Sequence, residues 1–308
     1  MIARSPMKVI YEPPLRTIMI AGAGGFAGRA LCDWLARDGA FRVVGVDDFG
    51  AAPLPREAGN FVAFDRSGDC DALTALMATE QVDTVVAVDP GADALIAATM
   101  RYAAVLHPQL RDVLRLVVVG RGGRREPAMT VTHGALYGPG ASGDDLIPRT
   151  IAAALAGEAI WVDRPGLGVP DWLHIGDYCD AIGAVLLRGL PGGHYHIGAR
   201  DGRTLLSTVA MICDLVDRVA PRADGRKHRS LIRFGAACAE PHRAIAEVPA
   251  RLEGELGWRA RVSLRDGVIA LIDDALVGQR RARPGHHPCA CSGPKSSATG
   301  AAVAAPAR

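Results

Sequence analysis

Lysine is almost absent from this sequence. Of the 35 basic residues only Lys8, Lys227 and Lys295 are lysines, so arginine carries nearly all of the positive charge. Any chemistry that depends on a lysine amine is restricted to these three positions. An excess of either charge is also missing, because the 35 basic residues are balanced by 33 acidic ones. This balance argues against a nucleic-acid or membrane-surface role.

Long apolar runs are missing too. No stretch reaches the roughly 18 uninterrupted apolar residues of a membrane helix. Residues 1–16 contain three prolines and no apolar segment of signal-peptide length. The seven cysteines are mostly scattered singly, as expected of reduced core residues. We therefore expect a cytoplasmic protein whose 308 residues form one large α/β domain, or a nucleotide-binding domain with a smaller cap.

Glycine is concentrated in one informative stretch, Ile18–Gly28, with the sequence IMIAGAGGFAG. An apolar strand runs into three glycines spaced three residues apart, and a helical pattern follows. Such a turn needs glycine for positive φ, for close approach to a pyrophosphate and for packing of the helix on the strand. The cofactor-binding candidates in the turn are Gly22, Gly25, Phe26, Ala27 and Gly28.

Acidic residues follow the next two predicted strands. Asp47 and Asp48 lie about twenty residues after the turn, where an acid would bind ribose hydroxyls. Asp65 and Arg66 end the third strand, where an acid can meet the adenine amino group of a dinucleotide. The pattern predicts binding of NAD or NADP. The alternatives are a glycine-rich turn of another α/β protein and, for Asp65, an exposed loop carboxylate.

Apolar periodicity predicts alternating strands and helices after the turn. The predicted strands are Phe41–Val46, Asn60–Phe64, Thr84–Val88, Leu116–Val119, Pro127–Thr132, Ile160–Val162 and His194–Ile197. The predicted helices are Arg29–Leu35, Asp71–Glu80, Ala94–Val105, Leu146–Ala156, Asp177–Leu187, Thr208–Val219 with Ser207 as its N-cap, and Asp266–Leu276.

The alternation breaks after Val119. The next stretch, Gly120–Glu126, has no apolar period, and the strand after it follows at once. Parallel neighbours normally need a dozen or more residues between them. The sequence therefore predicts a sheet in which the crossover helix after the fifth strand is missing.

The domain boundaries follow from this reading. We expect an N-terminal extension over residues 1–15, a dinucleotide-binding domain over 16–145 completed by 170–190, and a cap formed by 146–169 and 191–278. Residues 279–308 are rich in Arg, Pro, Gly, Ala and Ser and read as a disordered tail. Histidines and cysteines in the tail could ligate a metal, but no fold fixes them, so we assign no metal site; they are His286, His287, Cys289 and Cys291.

The chain resembles the extended short-chain dehydrogenase/reductase (NAD-dependent epimerase/dehydratase) family, and within it the nucleotide-sugar 4,6-dehydratases such as dTDP-glucose 4,6-dehydratase. The likeness covers about residues 16–276. Its carriers are AGAGGFAG at Ala21–Gly28, ALYGPG at Ala135–Gly140, LIPRTIAAALAGEAI at Leu146–Ile160, DWLHIGDYCDAI at Asp171–Ile182, HYHIG at His194–Gly198 and RLEGELGW at Arg251–Trp258. The resemblance implies a Rossmann-type, doubly wound parallel sheet with a smaller α/β substrate cap.

The resemblance also implies a Tyr-x-x-x-Lys pair and a Ser or Thr as the catalytic groups, and this chain lacks the pair. No tyrosine is followed four residues later by lysine; the residues at that spacing are Leu15, Leu106, Ala141, Ile182 and Ala199. The missing crossover is where the family would place these groups, together with a helix commonly used in dimer packing. The oligomeric state is therefore left open.

The resemblance implies sugar-nucleotide contacts that are changed as well. Pro170 stands where the family has arginine, Ala135 and Leu136 stand where it has asparagines, and only Arg243 remains of an arginine-rich stretch. Asp89 follows the fourth strand, where a carboxylate would repel a dinucleotide. Three alternatives therefore stay open for the cofactor: NAD or NADP takes part in the reaction, NAD or NADP has only a structural role, or no dinucleotide is bound.

Without the crossover helix, the cleft at the carboxyl ends of the strands should be more open. The candidate catalytic residues facing it are His133, Tyr137, Asp171 and His174. Histidine and aspartate could act as acid and base, and tyrosine as an acid or oxyanion donor. The alternative for Asp171 and its neighbour Trp172 is a structural role in the DWLHI turn.

Three functions remain open. The first is a repurposed enzyme of specialised metabolism that performs lyase, isomerase or cyclase chemistry by acid/base groups, without hydride transfer, on a sugar nucleotide or a natural-product intermediate. The second is an NAD-dependent nucleotide-sugar 4,6-dehydratase or epimerase with substitute residues. The third is an inactive relative that binds or stabilises a partner protein. None involves nucleic acid or a membrane.

Overall fold

A computed structural model describes residues 16–37, 39–47, 61–64, 69–88, 93–108, 114–120, 128–237 and 248–282. Several predictions concern residues outside these ranges: the N-terminal extension, Asp48, Asp65 and Arg66, Asp89, Arg243, and the histidines and cysteines of the tail.

The described residues form eleven strands, eight α-helices and one 3-10 turn. The strands are β1 Arg16–Ala21, β2 Phe41–Val46, β3 Phe61–Phe64, β4 Thr84–Ala87, β5 Arg115–Val119, β6 Met129–His133, β7 Ala135–Tyr137, β8 Ile160–Arg164, β9 Trp172–His174, β10 His194–Ile197 and β11 Ile232–Ala237. The helices are α1 Phe26–Arg37, α2 Cys70–Thr79, α3 Asp93–Val105, α4 Leu146–Ala156, α5 Ile175–Arg188, α6 Leu205–Val219, α7 Ala250–Leu256 and α8 Leu264–Ala282; the 3-10 turn is His228–Leu231.

Seven parallel strands form the large sheet, in the order β10-β6-β5-β4-β1-β2-β3. One face of the sheet packs on α1, α5 and α7, and the other packs on α2 and α3. Helices on both faces explain why the strands read as continuous apolar runs. The predicted Rossmann-type, doubly wound fold is confirmed.

The connection between β5 and β6 is as short as the sequence indicates. The two strands pair in parallel from Val117 opposite Met129 to Val119 opposite Val131, and only residues 120–128 separate them. β6 begins opposite a residue near the end of β5, so the chain returns by only about 7 Å along the strand direction. A return this short does not need a crossover helix.

The cap is smaller than predicted. Its core joins α4, α6, α8 and β8, and β8 pairs with β11. β10 instead extends the large sheet beside β6, and α7 packs against β10 and α5. The assignment of all of residues 191–278 to the cap is therefore wrong, because the alternation within β10 identifies a strand but not its distant partner.

Local details also differ from the predictions. Thr204, not Ser207, caps α6, since its hydroxyl accepts the Ser207 backbone N–H at 3.1 Å. α8 continues to Ala282, past the predicted start of the tail at residue 279. The elements β7, β11 and α7 were not predicted.

Candidate functional site

The turn between β1 and α1 has a geometry that only glycine permits. Gly22 has a φ of +79°, in the region that favours glycine. A Cβ atom on Gly28 would lie 1.9 Å from the Gly22 carbonyl oxygen. Phe26 and Ala27 begin α1, and N–H groups of a first helical turn lack intrahelical acceptors and favour an anion. These four residues fit the predicted contact with phosphates.

Asp47 closes the turn from the end of β2. Its Oδ2 accepts the Gly24 backbone N–H, and a Cβ on Gly24 would lie only 2.8 Å from that oxygen. Arg29 Nη2 donates to the Gly24 carbonyl oxygen at 3.0 Å. Gly24 and Arg29 were missed at the sequence level. Their signals are an additional glycine inside the turn and an arginine directly after the third spaced glycine.

His133 lies at the carboxyl end of β6, where open α/β sheets bind ligands. Its Nδ1 is 2.7 Å from the Gly134 carbonyl oxygen. A carbonyl only accepts, so Nδ1 carries the proton and Nε2 is the basic nitrogen of the neutral ring. The imidazole packs edge-on against the ring of Tyr178, in the first turn of α5, with 5.5 Å between the ring centroids.

His174 ends β9 and caps α5. Its Nδ1 accepts the Gly176 backbone N–H at 3.1 Å, which leaves the proton of the neutral ring on Nε2. Burial lowers the pKa of His174 below its usual value. Because the folded-state pKa is lowered, His174 contributes stability that is complete above the unfolded-state pKa of about 6.5 and is lost as pH falls through the folded-state pKa.

Tyr137 is buried in the protein interior. Its side chain is 1% exposed, and its hydroxyl donates to the Ser263 carbonyl oxygen at 3.3 Å. α8 covers the hydroxyl so closely that a Cβ on Gly267 would lie 2.3 Å from it. Burial raises the pKa of Tyr137. This position contradicts a direct catalytic role, although the ring still packs edge-on against His174 at 5.4 Å.

Asp171 and Trp172 hold the DWLHI turn together. The Asp171 carboxylate is 2% exposed, and its two oxygens accept the backbone N–H groups of Ala199 at 3.0 Å and Asp201 at 2.9 Å. Trp172 Nε1 donates to the Thr208 hydroxyl at 3.1 Å. Both carboxylate oxygens are committed to backbone, so the catalytic role predicted for Asp171 is contradicted and the structural alternative fits.

Tyr178 contributes a fully buried phenol to the first turn of α5, beside His133. Within the described part of the chain its hydroxyl has no hydrogen-bond partner, and burial raises its pKa. Tyr195 offers a contrast, because its equally buried hydroxyl accepts the Leu190 backbone N–H at 2.9 Å. A buried hydroxyl without a partner costs free energy.

We expect Tyr178→Phe to raise the free energy of unfolding by about 1 kcal/mol, because it removes a desolvated hydroxyl and keeps the ring. Tyr195→Phe, the matched control, should lower it by a similar amount, since it leaves the Leu190 N–H without its acceptor. Urea denaturation measures both. Destabilisation by Tyr178→Phe would show that the hydroxyl has a partner after all.

Two features are absent from the residues that the structure describes. No described helix is long and apolar enough to cross a membrane. In the same ranges no three His, Cys, Asp or Glu side chains are grouped so that they could hold a metal ion.

Family comparison identifies the chain. A model of the NAD dependent epimerase/dehydratase family matches residues 18–121 and 120–198, which is more than half of the sequence. The chain belongs to this family. The match includes the glycine turn, the short β5–β6 connection and both candidate histidines.

Curated relatives of this chain are similar over only part of their length. The dTDP-glucose 4,6-dehydratase of Xanthomonas campestris is 35% identical over 153 residues, which is 50% of this chain and 44% of the relative. That of Escherichia coli K12 is 30% identical over 137 residues, or 44% of this chain and 37% of the relative. The chain thus matches less than half the length of these enzymes.

Solved structures of the family share the fold. A dTDP-glucose 4,6-dehydratase from Bacillus anthracis in complex with NAD has a TM-score of 0.71 at 18% identity, covering 86% of this chain and 98% of that one. A UDP-glucose 4-epimerase from Thermotoga maritima with UDP-glucose has a TM-score of 0.67 at 14% identity, covering 86% of this chain and 100% of that one.

Proposed function

We propose that this protein binds NAD or NADP at the glycine turn and performs non-redox acid/base chemistry, of the lyase, isomerase or cyclase type, at the carboxyl ends of the strands. His133 acts as the base, and the neutral His174 donates a hydrogen bond from Nε2 to the substrate oxygen that becomes negative. The substrate class is a sugar nucleotide or a natural-product intermediate of similar chemistry, in line with the nucleotide-sugar enzymes to which the chain is similar.

The observation that carries the proposal is the opposite hydrogen bonding of the two Nδ1 atoms: that of His133 donates, and that of His174 accepts. The Gly134 carbonyl holds the proton of His133 on Nδ1, whereas the Gly176 N–H holds the proton of His174 away from Nδ1. One neutral ring therefore has an accepting Nε2 and the other a donating Nε2. Acid/base catalysis needs this combination of groups.

The two rings are held around the same turn of helix. His174 is the N-cap of α5, and Tyr178, one turn later, packs against His133. A substrate at this edge could lose a proton from carbon to His133 Nε2 while the Nε2–H of His174 donates a hydrogen bond to the substrate oxygen, which takes up the negative charge. The step leaves His133 protonated and the substrate as an enolate, and return of a proton from His133 to carbon, after exchange with water, restores both.

A dinucleotide fits the residues of the glycine turn. The close approach of Gly28 to Gly22 and the anchored Asp47 carboxylate form a cradle that larger side chains would fill. Bound NAD would supply a hydride acceptor. The chain lacks the Tyr-x-x-x-Lys pair that the family resemblance implies for use of that acceptor, which favours acid/base chemistry over oxidation.

A proton-exchange assay tests the proposal without knowledge of the natural substrate. The probe is the 4-keto-6-deoxy product of dTDP-glucose dehydration, incubated in D₂O and followed by NMR for exchange of the protons next to the carbonyl. We expect catalysed exchange by the native protein. His133→Ala and His174→Ala should each slow it by about a hundredfold, the lower end of the usual acid/base contribution.

His194→Ala is the matched control. This histidine is half-buried in β10, where Nδ1 lies 2.8 Å from the Thr130 hydroxyl, and it starts the strand instead of ending it. Exchange that survives in both cleft variants would overturn the acid/base assignment. Turnover of dTDP-glucose with NAD would favour the dehydratase function instead, and no exchange at all with an intact fold would favour a non-catalytic binding protein.

A further inference from the structure

The backbone of Gly24 is held on both sides by charged side chains. Asp47 accepts its N–H, and Arg29 Nη2 donates to its carbonyl oxygen at 3.0 Å. The N–H of the next residue, Gly25, donates to the Gly22 carbonyl oxygen at 3.2 Å. Two consecutive peptide planes before α1 are therefore oriented by charged side chains: Ala23–Gly24 by the aspartate that follows β2, and Gly24–Gly25 by an arginine from α1 itself.

Arg29 lies at an unfavourable place for a cation. It is the fourth residue of α1, and the first turn of this helix contains no acidic residue. The positive end of the helix dipole disfavours a cation there. The hydrogen bond from the Arg29 side chain to the Gly24 carbonyl oxygen offsets this cost.

We propose that Arg29 is a positioning residue for dinucleotide binding. By holding the Gly24 carbonyl, it fixes the turn so that the N–H groups of Phe26 and Ala27 face the phosphates. Asp47 supports the preceding peptide, Ala23–Gly24, by accepting the Gly24 N–H. The inference rests on the proposed binding of NAD or NADP, and it assigns Arg29 an effect transmitted through the backbone and not through its charge.

Calorimetric titration with NAD at low and high NaCl separates these two effects. The variants are Arg29→Met and Arg29→Lys, and Arg37→Met in the last turn of the same helix is the matched control. We expect Arg29→Met to weaken NAD binding about tenfold, by the same factor at both salt concentrations. Attraction between charges would instead fade at high salt.

The other variants complete the test. Arg29→Lys keeps the charge without the planar fork of donors, so we expect it to lose affinity at least threefold, whereas Arg37→Met should bind normally. The melting temperature without NAD should change little in Arg29→Met, while the increase caused by NAD should shrink. A merely structural arginine would lower the melting temperature of the free protein.

The experiment distinguishes failure of the proposed function from failure of the role assigned to Arg29. A native protein that binds neither NAD nor NADP would refute the proposed function. A native protein that binds, together with Arg29→Met of unchanged affinity, would overturn only the role of Arg29. A loss of affinity that disappears at high salt, or full affinity in Arg29→Lys, would overturn it as well.

Discussion

Replacing Gly28 with alanine should destabilise the protein by about 4 kcal/mol or more and abolish dinucleotide binding. The added Cβ would lie 1.9 Å from the Gly22 carbonyl oxygen and 2.7 Å from the Gly22 carbonyl carbon. Both atoms are backbone, so neither can move aside as a flexible side chain would. α1 would have to separate from β1 at the centre of the fold, where Leu31 and Leu35 are fully packed.

Gly25→Ala is the matched control in the same turn. A Cβ on Gly25 would lie 3.4 Å from the same oxygen, an ordinary contact. We expect this variant to unfold in urea at nearly the native midpoint. An equal loss of stability in both variants would show that the turn demands glycine for its flexibility, and that the close approach of Gly28 is not the cause.

Asp171→Ala should lower the free energy of unfolding by about 3–5 kcal/mol, because it leaves two buried N–H groups without their acceptor. The carboxylate accepts from Ala199 and Asp201 in the loop after β10, and the Asp171 carbonyl accepts the Ala135 N–H at 2.7 Å. This residue therefore joins β7 to the loop that follows β10, at the carboxyl edge of the sheet. Thermal and urea unfolding measure the effect.

The control for Asp171 is Asp144→Ala, in the exposed loop before α4, which should leave stability unchanged within about 0.5 kcal/mol. At a temperature where Asp171→Ala is still folded, proton exchange should proceed at a rate close to native. A loss of exchange in a fully folded Asp171→Ala protein would return Asp171 to the catalytic residues.

Much of the fold could be predicted because its signals are local. The buried parallel strands are continuous apolar runs, and the helices α2, α3 and α4 lie within one or two residues of their predicted bounds. The glycine turn is also local, since Gly22, Gly24, Gly28 and Arg29 contact one another within eight residues of chain. The short β5–β6 connection was visible as a simple lack of residues.

The candidate site was only partly predictable for the same reason. His133 could be chosen because it follows a predicted strand, and His174 because it lies in the DWLHI turn; each is oriented by a backbone group one or two residues away. The burial of Tyr137 comes from Ser263 and Gly267, more than 120 residues later. No local pattern contains that contact, so its exclusion from chemistry could not be foreseen.

The sequence by itself determined the class of fold, the place of the glycine turn and the loss of the tyrosine–lysine pair, because periodicity, spacing and residue identity are properties of short stretches. Only the tertiary structure decided that β10 completes the large sheet, that Asp171 joins strand ends, and that Tyr137 is covered by α8. These outcomes depend on which distant segments meet, and that is settled by packing of the whole chain.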